Sequence, residues 1–279
     1  MGNPIAFSTL ACPEWTNETI VARAGRFGYD GIEWRGGADG HVQPSMPIGE
    51  RQSLRRCLAE SGLFSLAVTA YTSFVSENVV ELEANVDDLR RYLDLAAELG
   101  ARYVRAFLGE LHPGADLMAA QRNIVRCLEA AASHAQDVGV GIAVEPHDDF
   151  VRSVSVVPIF ERVTNPAVGA VWDIGNAFAA GEEPEEGFEL LGRRIAYVQV
   201  KDGRGRLADW RLTRLGEGEV PLRRAFELLL CSGYAGAFSV EWERAWHPEL
   251  DSAEAALPHV LMAVRELLAA ARASTGGGQ

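Results

Sequence analysis

Residues 141–176 read GIAVEPHDDFVRSVSVVPIFERVTNPAVGAVWDIGN. The apolar run at 141–145 ends in Glu145, helical spacing follows at 156–163, and a second apolar run at 169–173 ends in Asp173. Strand, helix and strand in this order imply parallel strands joined by a right-handed crossover. The same unit repeats in both directions. Upstream, strands are predicted at 5–12, 31–35, 63–72 and 103–109, followed by helices at 16–27, 49–61, 79–99 and 115–137. Gly28 and Gly100 stand where two of these helices should stop. Downstream, a short helix at 185–193 leads to strands at 195–201 and 237–241, with helices at 222–231 and 253–271. Eight such units predict an α/β fold: one (β/α)8 (TIM) barrel domain over residues 1–273, with 274–279 (STGGGQ) as a frayed tail. An open doubly wound sheet is the rival. No G-x-G-x-x-G follows the first strand and no large second domain is visible, which argues against it.

The chain has 279 residues and a formal net charge of −13, which argues against a phosphate-backbone binder and predicts no nucleic-acid partner. No apolar run approaches the ~18–20 residues of a membrane span, so no membrane partner is expected. The start, MGNPIAFSTLACPEW, lacks a basic segment followed by an apolar one, so no secretory signal is expected, and Ala6 breaks the myristoylation pattern. Four scattered cysteines, with no C-x-x-C, predict a cytoplasmic protein without a disulfide framework.

In such a barrel the chemistry sits at the C-terminal ends of the strands. There the sequence carries Glu145 (AVEPHDDF), Asp173 (VWDIGN), Gln199 (YVQVKD) and Glu241 (SVEWE). A single acid at a strand end is commonly a helix cap or a surface ion pair. Three converging carboxylates on successive apolar strands repel one another, and one divalent cation removes the conflict. Oxygen-only donors favour Mn²⁺ or Mg²⁺, with Co²⁺ and Zn²⁺ also open. The amide oxygen of Gln199 could complete the metal set or accept from a substrate hydroxyl.

These motifs resemble those of the xylose-isomerase-like barrel superfamily of sugar phosphate isomerases and epimerases. The resemblance runs from the first strand to the last helix and is most specific after Gly141. That superfamily includes inosose dehydratases and isomerases, ketose 3-epimerases, hydroxypyruvate isomerases and endonuclease IV. Its pattern is a Glu after strand five, Asp-x-x-His after strand six, His-x-Lys-Asp on strand seven and a Glu after strand eight. Here the matching residues are Glu145, Asp173 with Asn176, Gln199 with Lys201 and Asp202, and Glu241. The GEGEVP at 216–221 resembles the loop before helix seven. Gln199 replaces the usual metal histidine, as in hydroxypyruvate-isomerase-like members. Asn176 replaces a histidine that usually contacts substrate and cannot act as a protonated electrophile. Six histidines are too few at strand ends for the endonuclease IV zinc set.

The resemblance implies proton transfer beside a carbonyl through an enediolate, on a ketose, polyol or cyclitol. Glu145 and Glu241 would be both metal ligands and the catalytic acid/base pair. Dehydration would use the same enediolate, and a non-catalytic barrel subunit is a third reading. Candidate substrate contacts are His147, Asn176, Lys201, Arg105, Glu33 and His247. His147 could equally be a loop histidine, and His247 could mark helix entry. Arg105 either faces inward toward an anionic substrate group or outward to a surface acid. Glu33 should pair with a basic group near the mouth. Arg204 and Arg206 either close over an anion or remain solvated. Trp15 and Trp246 could form apolar walls, while Trp34, Trp172 and Trp242 read as core. A homodimer suits such barrels, although no motif sets the oligomeric state.

Overall fold

The computed structural model describes residues 2–276, with side chains through residue 274. Its strands are β1 (Ile5–Ser8), β2 (Gly31–Trp34), β3 (Phe64–Ala70), β4 (Tyr103–Ala106), β5 (Gly141–Val144), β6 (Val168–Asp173), β7 (Ile195–Val200), β8 (Asp202–Arg204), β9 (Arg211–Thr213) and β10 (Phe238–Val240). Eight of them close a barrel in the order β1-β10-β7-β6-β5-β4-β3-β2. Every pair in it is parallel. The single-domain (β/α)8 barrel expected from the sequence is the observed fold.

The helices are α1 (Asn17–Phe27), α2 (Ile48–Glu60), α3 (Val79–Leu99), α4 (Leu117–Val138), α5 (Ser153–Phe160), α6 (Ile174–Ala179), α7 (Pro184–Leu191), α8 (Leu222–Cys231) and α9 (Ala253–Gly276). Local chemistry sets their ends. Thr16, Asn78 and Asp116 accept from the exposed backbone N–H groups that open α1, α3 and α4. Gly28 and Gly100 take positive φ (91° and 70°), which lets the chain leave α1 and α3 without Cβ strain. Helix α9 enters the segment expected as a frayed tail, and residues 277–279 of that tail lie outside the described residues.

Two features differ from the sequence reading. Helix α6 follows β6 at once, and β8 pairs with β9 as an antiparallel hairpin. A six-residue helix is too short to display a 3.6-residue period, and the hairpin strands carry Gly and Arg instead of an apolar alternation. The predicted strands also ran too long, because the ladder stops before the residues that turn into the mouth.

Alternation along each strand splits its side chains between two environments. Val104, Ile142, Val144, Trp172, Val198 and Val240 join the large core shared with the helices. Burying side chains of this size is worth roughly 1.5–3 kcal/mol each. Ala6, Leu66, Ala67, Ala143, Val171, Tyr197 and Ala237 form a second cluster, packed by Phe64 and Tyr103. Gly141 makes room for Tyr103: a Cβ there would lie 2.8 Å from that ring. Trp34, Trp172 and Trp242 are core, as expected, whereas Trp15 packs on Phe27. All four cysteines are free. Among the described residues no helix is long and apolar enough to cross a membrane.

Candidate active site

The strand ends bring a charged layer to the barrel mouth. Glu33 lies on β2, Arg105 on β4, Asp173 at the end of β6 and Gln199 on β7. Glu145, Lys201 and Glu241 each sit one residue past a strand, after β5, β7 and β10. None of these seven is more than 4% exposed. Register pairs Asp173 with Gln199, and Gln199 with Ser239, across neighbouring strands.

Two cations hold the carboxylates together. Arg105 Nε donates to Glu145, and Arg105 Nη1 donates to Glu241 Oε1 (2.8 Å) and Glu33 Oε1 (3.2 Å). Lys201 Nζ reaches Glu241 Oε2 (2.6 Å), Asp173 Oδ2 (3.0 Å) and Glu243. Glu33 also accepts from Tyr197 Oη (2.8 Å), Gln199 Nε2 (3.0 Å) and Ser239 Oγ (2.5 Å). Burial alone would discharge both cations, but their carboxylate partners outweigh it and keep them charged.

The carboxylates are driven in different directions. Burial raises Glu145, and the nearby Glu241 adds to this, against the opposing pull of Arg105. Burial also acts on Glu241, but Lys201 and Arg105 outweigh it and hold that carboxyl well below its usual range. Burial pushes Asp173 up to about 7, with Lys201 opposing. Four buried carboxylates (Glu33, Glu145, Asp173, Glu241) thus face two buried cations (Arg105, Lys201).

This imbalance bears on a metal ion. Among the described residues no three His, Cys, Asp or Glu side chains stand as a ready coordination set. Within the predicted metal set, two buried oxygens nevertheless lack a hydrogen-bond donor, Gln199 Oε1 and Asp173 Oδ2, the latter touched only through its ion pair with Lys201. The carboxylates outnumber the cations, and a divalent ion would offset that excess. Three carboxylates and an amide oxygen are the donors a hard cation takes. The residues therefore fit such an ion.

The remaining predicted residues surround this layer. Asn176 lies at the start of α6; its N–H donates to Asp173 Oδ1 (2.9 Å) and its Nδ2 to Glu145 Oε1 (3.4 Å). His147 is half-exposed, with its ring edge against Phe107 (5.1 Å) and Nδ1 2.8 Å from Asp148. It lines a cleft of about 210 Å³ with Tyr71, Thr72, Phe107, Gly109 and Asp148. His247 is also half-exposed; it faces Glu249 (3.3 Å) and Glu243 (3.7 Å), and so connects to Lys201 only through Glu243. Arg105 faces inward, with its guanidinium engaged by protein carboxylates. Arg206 pairs with Glu183, and Arg204 Nε donates to the Glu217 carbonyl (2.9 Å). Asp202 accepts from the N–H groups of Gly216, Gly218 and Val220, which shapes the GEGEVP loop.

Four residues escaped the sequence reading: Tyr197, Ser239, Glu243 and Arg35. Each lies two positions from a residue that was recognised: Gln199, Glu241 (on both sides) and Glu33. The two-residue alternation of strands carried that signal.

A parallel eight-stranded barrel with a buried acidic layer at its C-terminal mouth defines the class of single-domain barrel proteins whose chemistry sits at the strand ends. Within that class, the chain belongs to the xylose isomerase-like TIM barrel family, whose model matches residues 21–262. It is 23% identical over 234 residues to fructoselysine 3-epimerase of Escherichia coli O157:H7, covering 78% of this chain and 82% of that protein. It superposes on L-ribulose 3-epimerase with a TM-score of 0.81 at 18% identity, covering 99% of this chain and 97% of that one. It superposes on the IolI protein with a binding zinc atom with a TM-score of 0.80 at 20% identity, covering 95% and 98%. The sequence relative is an epimerase, and an enzyme is the plain reading of this chain.

Proposed function

We propose that the protein is a divalent-metal-dependent sugar or cyclitol isomerase or epimerase that moves a proton next to a carbonyl through an enediolate. One observation carries this reading. Glu145 and Glu241, from strands separated by β6 and β7, are ion-paired to the same Arg105 guanidinium, yet are driven in opposite directions of acidity. Two carboxyls separated in this way suit complementary acid and base roles. The similarity to a fructoselysine 3-epimerase supports sugar chemistry, and the zinc in IolI supports a divalent ion.

Glu145, Asp173, Gln199 and Glu241 would hold the ion, with Mn²⁺ or Mg²⁺ favoured by their oxygen donors. When bound, it supplies Lewis-acid polarisation of the carbonyl and offsets the enediolate charge. The protein's own groups do the rest. Glu241, held ionised by Lys201 and Arg105, takes the proton from the carbon beside the carbonyl. Glu145 returns a proton on the other face. Arg105 keeps both carboxyls oriented, and Glu33 keeps Arg105 in place. Asn176, beside Glu145, and Lys201, beside Glu241, contact substrate hydroxyls, while His147 and His247 serve the outer mouth. A lyase resembling inosose dehydratase is the second reading, favoured by the buried ammonium of Lys201 against Glu241, which suits protonation of a departing hydroxyl.

The test is solvent-deuterium incorporation into a panel of ketoses and inososes by Mn²⁺-loaded protein. Carbon-bound deuterium is expected, lost in Glu241→Gln and on chelation. Dehydrated product in place of exchange would select the lyase. No exchange and no product across the panel would overturn the reading.

A further inference from the structure

Arg35 stands two residues beyond Glu33 and one step nearer the rim. Its backbone is fixed: its N–H donates to Thr9 Oγ1 (2.8 Å), and its carbonyl accepts from the His41 N–H (2.8 Å). Its side chain is buried, with the residue only 8% exposed. The other two basic residues this buried, Arg105 and Lys201, are each surrounded by carboxylates. Arg35 has no ion-pair partner among the described residues. Its Nη1 donates to the Asp39 carbonyl (3.0 Å), and its Nε points at Tyr71 Oη (3.4 Å). The guanidinium lies 4.5 Å from the centre of the Trp246 ring. A guanidinium has five N–H donors, and these contacts use two. No Arg35 nitrogen is among the buried atoms that lack a partner, so its unused donors are open to the mouth, and a ring face does not use them.

The surroundings suit a ligand. Trp246 is 53% exposed and Tyr71 45%, so the mouth carries two large open rings beside a buried cation. Tyr71 also stacks on Phe107 (5.6 Å, 13°), whose ring also meets the Arg105 guanidinium and the His147 ring. Arg35 and the acidic layer thus flank one aromatic pair, and the 210 Å³ cleft opens against that pair. Tyr71 lines that cleft and also meets Arg35, which links the two.

We propose that Arg35, held between Trp246 and Tyr71, binds an anionic oxyacid group, phosphate or carboxylate, at the end of the substrate remote from the reacting carbons. The assignment of that group to a substrate rests on the isomerase reading above; the anion site itself does not. Planar, forked donors recognise phosphate and carboxylate through two hydrogen bonds at once.

The test titrates the intact protein with inorganic phosphate and, separately, with acetate, read by tryptophan fluorescence and calorimetry. Saturable binding is expected in the wild type. Arg35→Gln should weaken it by about tenfold or more, and Arg35→Lys should retain part of it. Trp246→Phe should remove the fluorescence response while calorimetric binding persists. Tighter phosphate binding supports a phosphorylated substrate, and tighter acetate binding supports a sugar acid. Absence of binding by both anions, or equal binding by Arg35→Gln and wild type, overturns the proposal. Where turnover is established, Arg35→Gln should lower kcat/KM for the anionic substrate by about tenfold or more, and far less for a neutral analogue. Anion binding lost in Arg35→Gln without turnover on any sugar would sink the isomerase reading alone.

Discussion

At the lower end of the barrel interior, Ala6, Ala143, Val171 and Ala237 cluster with Tyr197, and Tyr103 packs against them. Two residues further along these strands stand Arg105, Glu145, Asp173, Gln199 and Ser239, with Glu241 one step beyond. The same alternation that delivers small apolar groups at one level delivers ionised groups at the next. The lower level needs no partner beyond close packing. In the upper level each charge has to be balanced by another, and carboxylates outnumber cations there. A buried charged layer of this kind is where the proposed proton transfer would take place, while the layer beneath it is ordinary apolar packing.

The sharpest way to break this contrast is to neutralise the upper layer. Glu241→Gln and Glu145→Gln should each lower solvent-deuterium exchange by roughly 10²–10⁴-fold. Neither should unfold the protein, since each removes one member of a crowded set of acids. A variant that keeps wild-type exchange would remove that carboxyl from the reaction. Arg105→Met acts on the same layer with the opposite sign: three buried carboxylates lose their shared cation, and urea unfolding should show a loss of about 3–5 kcal/mol. In the lower layer, Leu66→Ala should lose about 2–5 kcal/mol by leaving a cavity, with exchange per folded molecule unchanged. Loss of exchange beyond the unfolded fraction would show that the two layers are coupled.

The sequence displayed the frame more fully than the site. Val79–Leu99 and Leu222–Cys231 form helices over the predicted residues, because each has a long apolar stripe closed by local turn chemistry. Glu145, Asp173 and Glu241 were readable because each ends an apolar run, and Gln199 because it interrupts one. What they touch was not readable. Arg105 meets Glu33 from 72 residues upstream and Glu241 from 136 residues downstream, and only barrel closure makes them neighbours. Arg105 looked available to a substrate anion because its partners are invisible in its local sequence. Arg35 went unnoticed for the converse reason: what distinguishes it is the absence of a carboxylate, and that shows only in three dimensions.

The smallest effects compare two carboxylates outside the site that have similar donors and different burial. Glu182 accepts from Ser153 N (2.6 Å) and Oγ (2.7 Å) and is buried; desolvation outweighs these bonds and raises its pKa. Glu129 accepts from Thr164 N, Thr164 Oγ1 (3.1 Å) and Asn165 N (3.3 Å) near solvent; its backbone bond to Thr164 leads, and its pKa is lowered. The signs follow from linkage. A raised carboxyl binds its proton more tightly in the folded state, so Glu182 opposes folding increasingly as pH rises from its unfolded to its folded pKa. A lowered carboxyl does the reverse: the contribution of Glu129 is complete above its unfolded pKa and is lost as pH falls through its folded one. Glu182→Gln should therefore gain on the wild type as pH rises from 4 toward neutrality. Glu129→Gln should trail the wild type by about 0.5 kcal/mol at neutral pH, after allowance for solvent screening, and converge with it in acid. Unfolding both variants in urea across that pH range measures the two slopes. Parallel slopes would mean that burial does not decide the sign, and would remove the same reasoning from the charged layer of the barrel.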